Sequence, residues 1–414
     1  MNIAANGASC PYRMDLTASD VHGEHDVLRS RGAGALVELP GEVRAWAVTD
    51  PALIRWITTH PQVSRSARLH WPAYVAGAVP DDWPLRNFAD ATNALSSHGA
   101  EHRRLRAPLA DWFSRRRVSA LDAHIQETAG HLLDQLGTAD PHEVVDLRAR
   151  FAWVVPLAVL NTILGVPDEL ADALRTAVDG SFTTSDTAAA LAARADLHRL
   201  LGEVVAIRRA RPGEDLTSDL ITACDAGTLT PQELTDSLLM IIAAAHETTV
   251  NLLGSGIASL LTHPRQLALL RAGAHPWEEA VEEILRHEAP VSSLPMRYAM
   301  ADLDHPLLQT PIREGELILL AFGAAGRDPG QHEDPGAFDI TREAHDHLAF
   351  GHGTHFCLGA RVARRTGALA LELLFERFPR LALAVPVEEL ESLPSFISNG
   401  PRALPALLYG AARP

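Results

Sequence analysis

Phe350 to Gly359 reads FGHGTHFCLG. A single cysteine, Cys357, closes a segment punctuated by Gly351 and Gly353, and Gly359 follows two residues later. Glycines at such positions permit tight turns and a close approach that a side chain would block. The run beginning at Ala360 has helical character, so the free N–H groups just after Cys357 can point at its sulfur. A helix N-terminus stabilises a thiolate and is expected to lower the thiol pKa. The loop is therefore built to present a sulfur ligand rigidly. Taken alone, a cysteine is more often an inert buried residue. His345, His347, His352 and His355 beside Cys357 also suggest zinc, but zinc does not require the phenylalanine and the three glycines at these spacings.

Composition narrows the class. The chain has 414 residues, 47% of them hydrophobic and 21% charged, enough to build a large core. It carries 36 basic and 52 acidic residues, a net charge of −16, which argues against a nucleic-acid binder. The longest wholly apolar run, Leu238 to Ala245, falls far short of the roughly 20 residues of a spanning helix. No basic segment followed by an apolar one opens the chain. Three distant cysteines, Cys10, Cys224 and Cys357, fit a reducing cytoplasm rather than a disulfide framework. All 36 basic residues are arginine, which reads as coding bias in a GC-rich genome.

Outward from the cysteine loop, the patterning is mainly helical with small sheets at its two ends. Residues 1–12 read as a loose end of a single 1–414 domain. Ala35 to Val48 reads as a hairpin around Pro40-Gly41, Pro51 opens a helix, and Pro72 to Pro84 reads as a long loop. Thr230-Pro231-Gln232-Glu233 combines an N-cap, a first-turn proline and a capping-box acid. The apolar pattern then runs to Leu261 and stops at His263-Pro264, about 48 Å of helix. Ile241, Ala244, Ala245, Thr248 and Leu252 share one face of it, and the middle of that face is small enough for something flat to approach. Packing against a second helix is the alternative.

Phe350, Gly351, Gly353, His355, Cys357 and Gly359 fill all six fixed positions of the haem-binding signature F-G-x-G-x-H-x-C-x-G. On these residues the chain resembles the cytochrome P-450 family. Ala244 to Thr249, AAHETT, resembles that family's oxygen-binding stretch, with Ala245 where glycine is usual. Glu283 and Arg286 form the family's E-x-x-R, and Arg327 resembles the third member of that structural charge network. His102, Arg106, Arg297 and His355 match positions that hold the haem propionates, a task suited to arginine's fork. Thr366 stands where the family usually has an acid. The phrasing around Leu164 and Arg327 is similar to the actinobacterial branch.

The resemblance implies a mainly α fold with small β-sheets, haem lying between the long central helix and the cysteine loop. It implies haem b with Cys357 as iron ligand, and Glu247 and Thr248 as the proton-delivering pair. The implied reaction inserts one atom of O2 into an apolar substrate of steroid, terpenoid or polyketide type. Electrons come from NAD(P)H through a ferredoxin and its reductase. The expected pocket stretches offer Met240, Ile241, Ala244, Val291, Leu294, Phe396 and Ile397. Two rivals stand beside this reading: a peroxide-driven peroxygenase, and a haem-based binder or sensor without turnover. Between Glu101 and Arg117 lie six arginines and two acids, and Arg361 and Arg364 follow the cysteine. An acidic ferredoxin is expected to dock near Arg103, Arg104, Arg116, Arg361 and Arg364. No membrane anchor is expected.

Overall fold

A computed structural model describes residues 10–181 and 187–410. Strands β1 (Tyr12–Arg13), β2 (Gly34–Leu39), β3 (Val43–Val48), β4 (Val63–Ser64), β6 (Leu294–Ala299) and β7 (Leu317–Leu320) form one sheet in the order β1-β2-β3-β7-β6-β4. Between β4 and β6 in the chain lies β5 (Val144–Asp146), which joins β8 (Ala382–Leu383) and β9 (Pro405–Leu407) in a second sheet, order β5-β9-β8. The expected hairpin is β2–β3, paired from Gly34↔Val48 to Leu39↔Val43. Gly41 and Glu42 both take a positive φ in its turn, 73° and 61°, which glycine adopts without strain. Tyr12 and Arg13 pair with Val37 and Glu38, so the end of the segment expected to be loose is held. Residues 1–9 of that segment lie outside the described residues.

The rest of the described chain is mostly helical. The capping box at Thr230 forms as the sequence predicts: Glu233 N–H donates to Thr230 Oγ1 at 3.2 Å, and Thr230 N–H to the Glu233 carboxylate at 2.8 Å. The helix it starts, Pro231–Thr262, spans 32 residues. By length and composition it could cross a membrane, but it runs through the protein and most of its apolar surface is packed. Its first part, through Leu234, Leu238, Ile241 and Ile242, packs in an apolar cluster with Leu105, Leu109, Leu157 and Leu160. Its last part, through Leu252, Leu253, Ile257 and Leu260, packs in another with Ile284, Leu371 and Phe375. Truncating one such leucine to alanine costs about 2–5 kcal/mol.

Between the two clusters the packing opens. Ala243 and Ala244 keep exposed surface although the helix on either side of them is buried. On the small face Ala244 thus borders open space, whereas Ala245 beside it packs on the first cluster.

The stretch read as a long loop, Pro72 to Pro84, begins with a single-turn helix, Pro72–Val75. Trp71, just before it, and Trp83 within it pin it down. Trp71 stacks on Tyr298, with ring centroids 5.5 Å apart, and Trp83 Nε1–H donates to Pro40 O at 2.8 Å. Both indoles are buried.

Candidate functional site

The cysteine loop is closed by its own backbone. Gly351 N–H donates to Leu348 O at 2.8 Å, Phe356 N–H to Gly353 O at 3.0 Å, and Cys357 N–H to Phe350 O at 2.9 Å. Gly351 and Gly353 take φ of 69° and 71°. At Gly353 the requirement is also steric, since a Cβ there would lie 2.5 Å from Thr58 O. The Arg364 guanidinium lies over the Phe350 ring, 4.5 Å from its centroid.

Cys357 has exposed surface, yet protein surrounds its sulfur closely, so the exposure opens into the interior. Burial pushes the thiol pKa up, against the N–H groups of Gly359 and Ala360 and the charges of Arg106 and Arg364, which pull it down. The expected net lowering is thus corrected for the free thiol. The helix start acts as predicted, but desolvation outweighs it. The neighbouring histidines go elsewhere: His347 to Glu282 at 3.0 Å and His352 to Thr58 at 3.1 Å. Among the described residues no group of three or more His, Cys, Asp or Glu could hold a metal ion, so the zinc alternative has no donor set.

Beside this loop lies a knot of basic side chains. The Gly99–Ala110 helix carries His102 and Arg106, β6 carries Arg297, and the cysteine loop carries His355. The His102 and His355 rings are 4.0 Å apart. Arg106 donates to Phe356 O at 2.6 Å. Arg65, just past β4, joins them and donates through Nε to Leu95 O at 2.7 Å. No spacing rule pointed to Arg65; only its burial marks it. His102 Nε2, Arg65 NH1 and Arg297 NH1 are buried without a hydrogen-bond partner among the described residues. Burial, then the charges of Arg106, His98, Arg65 and Arg103, hold His102 down to about 4. Burial and Arg65 likewise depress Arg297, and burial lowers Arg65 to about 10. Unpaired buried charges are costly. Such a cluster fits an anionic ligand, and the paired propionates of haem have that chemistry.

Across the space, the helix side is less simple than its motif. Thr248 Oγ1 donates back to Ala244 O at 2.7 Å, and Thr249 Oγ1 to Ala245 O at 2.8 Å, the i−4 bonding expected of threonine in a helix. His246 is buried against Trp153, whose carbonyl oxygen its Nε2 meets at 3.0 Å. Burial raises the Glu247 pKa, opposed by the charge of Arg148 and the nearby Ser398 hydroxyl. Neither Arg148 nor Ser398 was visible beforehand, because each comes from a distant part of the chain.

The pocket candidates divide into groups. Val291 bridges to Ser398, and Ser292 N–H donates to Ile397 O at 2.7 Å, which brings Val291 to the Phe396–Ile397 segment. Leu294 packs in the cluster of Phe322 and Leu320, whereas Met240 and Ile241 belong to the cluster of the central helix's first part.

Two expectations need correction. Glu283 and Arg286 form a fully buried fork, with both bonds at 2.7 Å, but Arg327 is not their third partner. Arg327 pairs with Glu288 at 2.6 Å; the cation that reaches Glu283 is Arg342, at 3.4 Å. Arg327 follows the short Phe322–Gly326 helix, which presents it to the far end of the E-x-x-R helix. The basic patch is also smaller than the sequence suggests. Arg104 forks onto Glu233 and Arg364 onto Glu282, which leaves Arg103, Arg116 and Arg361 exposed with no ion pair among the described residues.

Residues 277–398 match the family model described as Cytochrome P-450. The chain is 38% identical over 406 residues to 2-hydroxy-5-methyl-1-naphthoate 7-hydroxylase of Streptomyces carzinostaticus, covering 97% of this chain and 98% of that one. The chain is a cytochrome P-450. Among solved cytochrome P-450 structures it resembles CYP154A1 of Streptomyces coelicolor A3(2), with a TM-score of 0.89 and 46% identity, over 96% of this chain and all of that one. It also resembles testosterone-bound CYP154C4 of a Streptomyces species, with a TM-score of 0.91 and 36% identity over 97% and 99%. At 36% identity over 347 residues, 83% of each chain, it is similar to 6-deoxyerythronolide B hydroxylase of Saccharopolyspora erythraea. The cytochrome P-450 is a monooxygenase whose cofactor is haem, and redox partners supply its electrons from NAD(P)H.

Proposed function

We propose that this cytochrome P-450 holds haem b through Cys357 and hydroxylates an apolar steroid-, terpenoid- or polyketide-like molecule in the cytoplasm, acting as one domain. One observation carries the reading: a lone thiol opening into the interior beside buried nitrogens of His102, Arg65 and Arg297 that have no hydrogen-bond partner among the described residues. Haem supplies the oxygen chemistry, in which one atom of O2 enters the substrate and the other leaves as water. His102, Arg106, Arg297 and His355, with Arg65, pair with the propionates and orient the ring. Ala244 and Ala245 leave room for it against the helix. Thr248 holds a hydroxyl at the oxygen side, anchored on Ala244 O, and Glu247 passes protons to it. Val291, Phe396 and Ile397 form an apolar wall for the substrate, with Met240, Ile241 and Leu294 further out.

The electron donor is an acidic ferredoxin that docks on Arg103, Arg116 and Arg361, the exposed cations beside the thiolate loop. Arg104 and Arg364 leave this set because Glu233 and Glu282 neutralise them. The chemistry of the named relatives supports the substrate class: one is named for a naphthoate, one for an erythronolide, and one neighbour holds testosterone.

A lipophilic compound library screened for spectral shifts of the haem, followed by turnover with NADH, ferredoxin reductase and ferredoxin, tests the proposal. Hydroxylated product dependent on NADH is the expected result. Binding without product would favour a sensor, and product with hydrogen peroxide at an equal rate would favour a peroxygenase.

A further inference from the structure

The two strips of chain that carry Val291 and Phe396–Ile397 are laced together by their backbones. Asn399 N–H donates to Pro290 O at 3.0 Å, Ser292 N–H donates to Ile397 O at 2.7 Å, and Val291 bridges to Ser398 between them. Each strip is backed from behind. Gly323 N–H donates to Ser292 O at 2.9 Å, His25 Nε2 meets Ser292 Oγ at 3.1 Å, and a Cβ on Gly400 would lie 2.8 Å from Asn251 Oδ1 on the central helix. At the shared end of the strips stands one carboxylate. Glu288 shortly precedes Pro290, and Asn399 Nδ2 donates to its Oε2 at 3.1 Å. Its other partners come from far along the chain: Arg327 NH2 donates to Oε1 at 2.6 Å, and His22, on the Val21–Ser30 helix, reaches both oxygens through Nε2 at 3.2 Å. Arg327 Nε also donates to His287 O at 2.8 Å, which fixes the end of the E-x-x-R helix that Glu288 follows. Burial works against the Glu288 charge, yet its donors, His22 first, hold its pKa well below the ordinary carboxylate range.

This acid has no part in proton delivery, and the Glu283–Arg286 fork is complete without it. Directional bonds to a charged, partly buried group fix a position that apolar packing would leave free to slide. We infer that Glu288 is a positioning residue for the substrate wall: held by His22 and Arg327, its carboxylate fixes Asn399 and so sets where Phe396 and Ile397 stand against Val291. The inference rests on the proposed place of those three residues in the pocket. Asn399 is the joint, because its N–H holds Pro290 while its side chain holds the acid just before that proline. The N-terminal helix that bears His22 thus reaches the substrate wall through two bonded side chains.

The test uses two probes that bind haem iron through an imidazole nitrogen: imidazole itself, and clotrimazole, whose triaryl group must fit the pocket. Affinities come from the haem spectrum of the loaded enzyme, and melting temperatures are measured beside them. Asn399→Ala and Glu288→Gln are each expected to weaken clotrimazole about fivefold while imidazole binds as in wild type. Glu288→Gln combined with Asn399→Asp, which rebuilds the bond with donor and acceptor exchanged, should restore clotrimazole affinity. Phe396→Ala tests the wall itself and should weaken clotrimazole at least as much. Wild-type clotrimazole affinity in Asn399→Ala and Glu288→Gln, beside a weakened Phe396→Ala, would overturn the inference alone, whatever the melting temperatures. Wild-type affinity in Phe396→Ala would overturn the wall reading. Equal weakening of imidazole and clotrimazole, or a double variant no better than the single ones, would place the effect elsewhere and also overturn the inference.

Discussion

The rings of His102 and His355 lie 4.0 Å apart, tilted by 37°, although the two residues come from distant parts of the chain, one on a helix and one in the cysteine loop. Among the described residues neither pairs with a carboxylate, and Arg65, Arg106 and Arg297 crowd them. Without an anion the imidazoles stay neutral, and in the haem-free protein that neutrality has a measurable consequence. His102 titrates at about 4 in the fold, against 6.5 when free. The unfolded chain therefore binds the proton first. Stability should be full above pH 6.5 and fall as pH drops towards 4, by at most about 3 kcal/mol from this residue. Urea midpoints of haem-free protein between pH 4 and 7 check this, and His102→Asn should flatten the slope.

Gly353→Ala should be severe for so small a change. The added methyl would meet Thr58 O at 2.5 Å, and the residue would have to keep a φ of 71°. Both effects favour loss of the loop conformation, at about 2 kcal/mol or more. Haem content after purification and thermal stability should both drop, whereas Gly336→Ala, where a Cβ meets nothing, should leave both unchanged.

Thr248→Ala should separate electron use from product. Haem content and substrate binding remain near normal and NADH consumption continues, but product per NADH falls several-fold and peroxide rises. The change in partitioning corresponds to about 1 kcal/mol or more. Equal coupling in mutant and wild type would make Thr248 a packing residue.

Charge reversals on the proximal surface should sort into two kinds. Arg116→Glu or Arg361→Glu should slow ferredoxin-driven turnover at low salt, with a smaller effect as ionic strength rises. Arg104→Glu should instead lower the melting temperature, because it sets a carboxylate against Glu233, whose pKa the Arg104 fork holds down to about 2. Rapid-mixing reduction by ferredoxin and thermal denaturation distinguish them.

What the sequence disclosed was whatever local spacing encodes. The cysteine loop, the capped central helix and the i, i+3 fork of Glu283 and Arg286 each lie within a short window, so their geometry follows from residue order. Contacts made by distant segments left no such trace. Arg342 takes the place expected of Arg327 beside Glu283, 59 residues away in the chain. Arg104 meets Glu233 across 129 residues, which removes a charge from a patch that composition alone would count. Arg65 and Ser398 reach the site through tertiary packing. The thiol shows the same division: the helix start was legible, but the burial that overrides it was not.

The central claim is that the Cys357 sulfur binds the haem iron. Its most direct test is the absorption spectrum of the reduced protein with carbon monoxide, wild type beside Cys357→His. Thiolate ligation predicts a strongly red-shifted Soret band in the wild type. The histidine variant should lose that band while retaining some haem, and monooxygenase turnover should vanish with it, since imidazole cannot push electron density onto iron as a thiolate does. A red-shifted band that survives in Cys357→His would contradict the account.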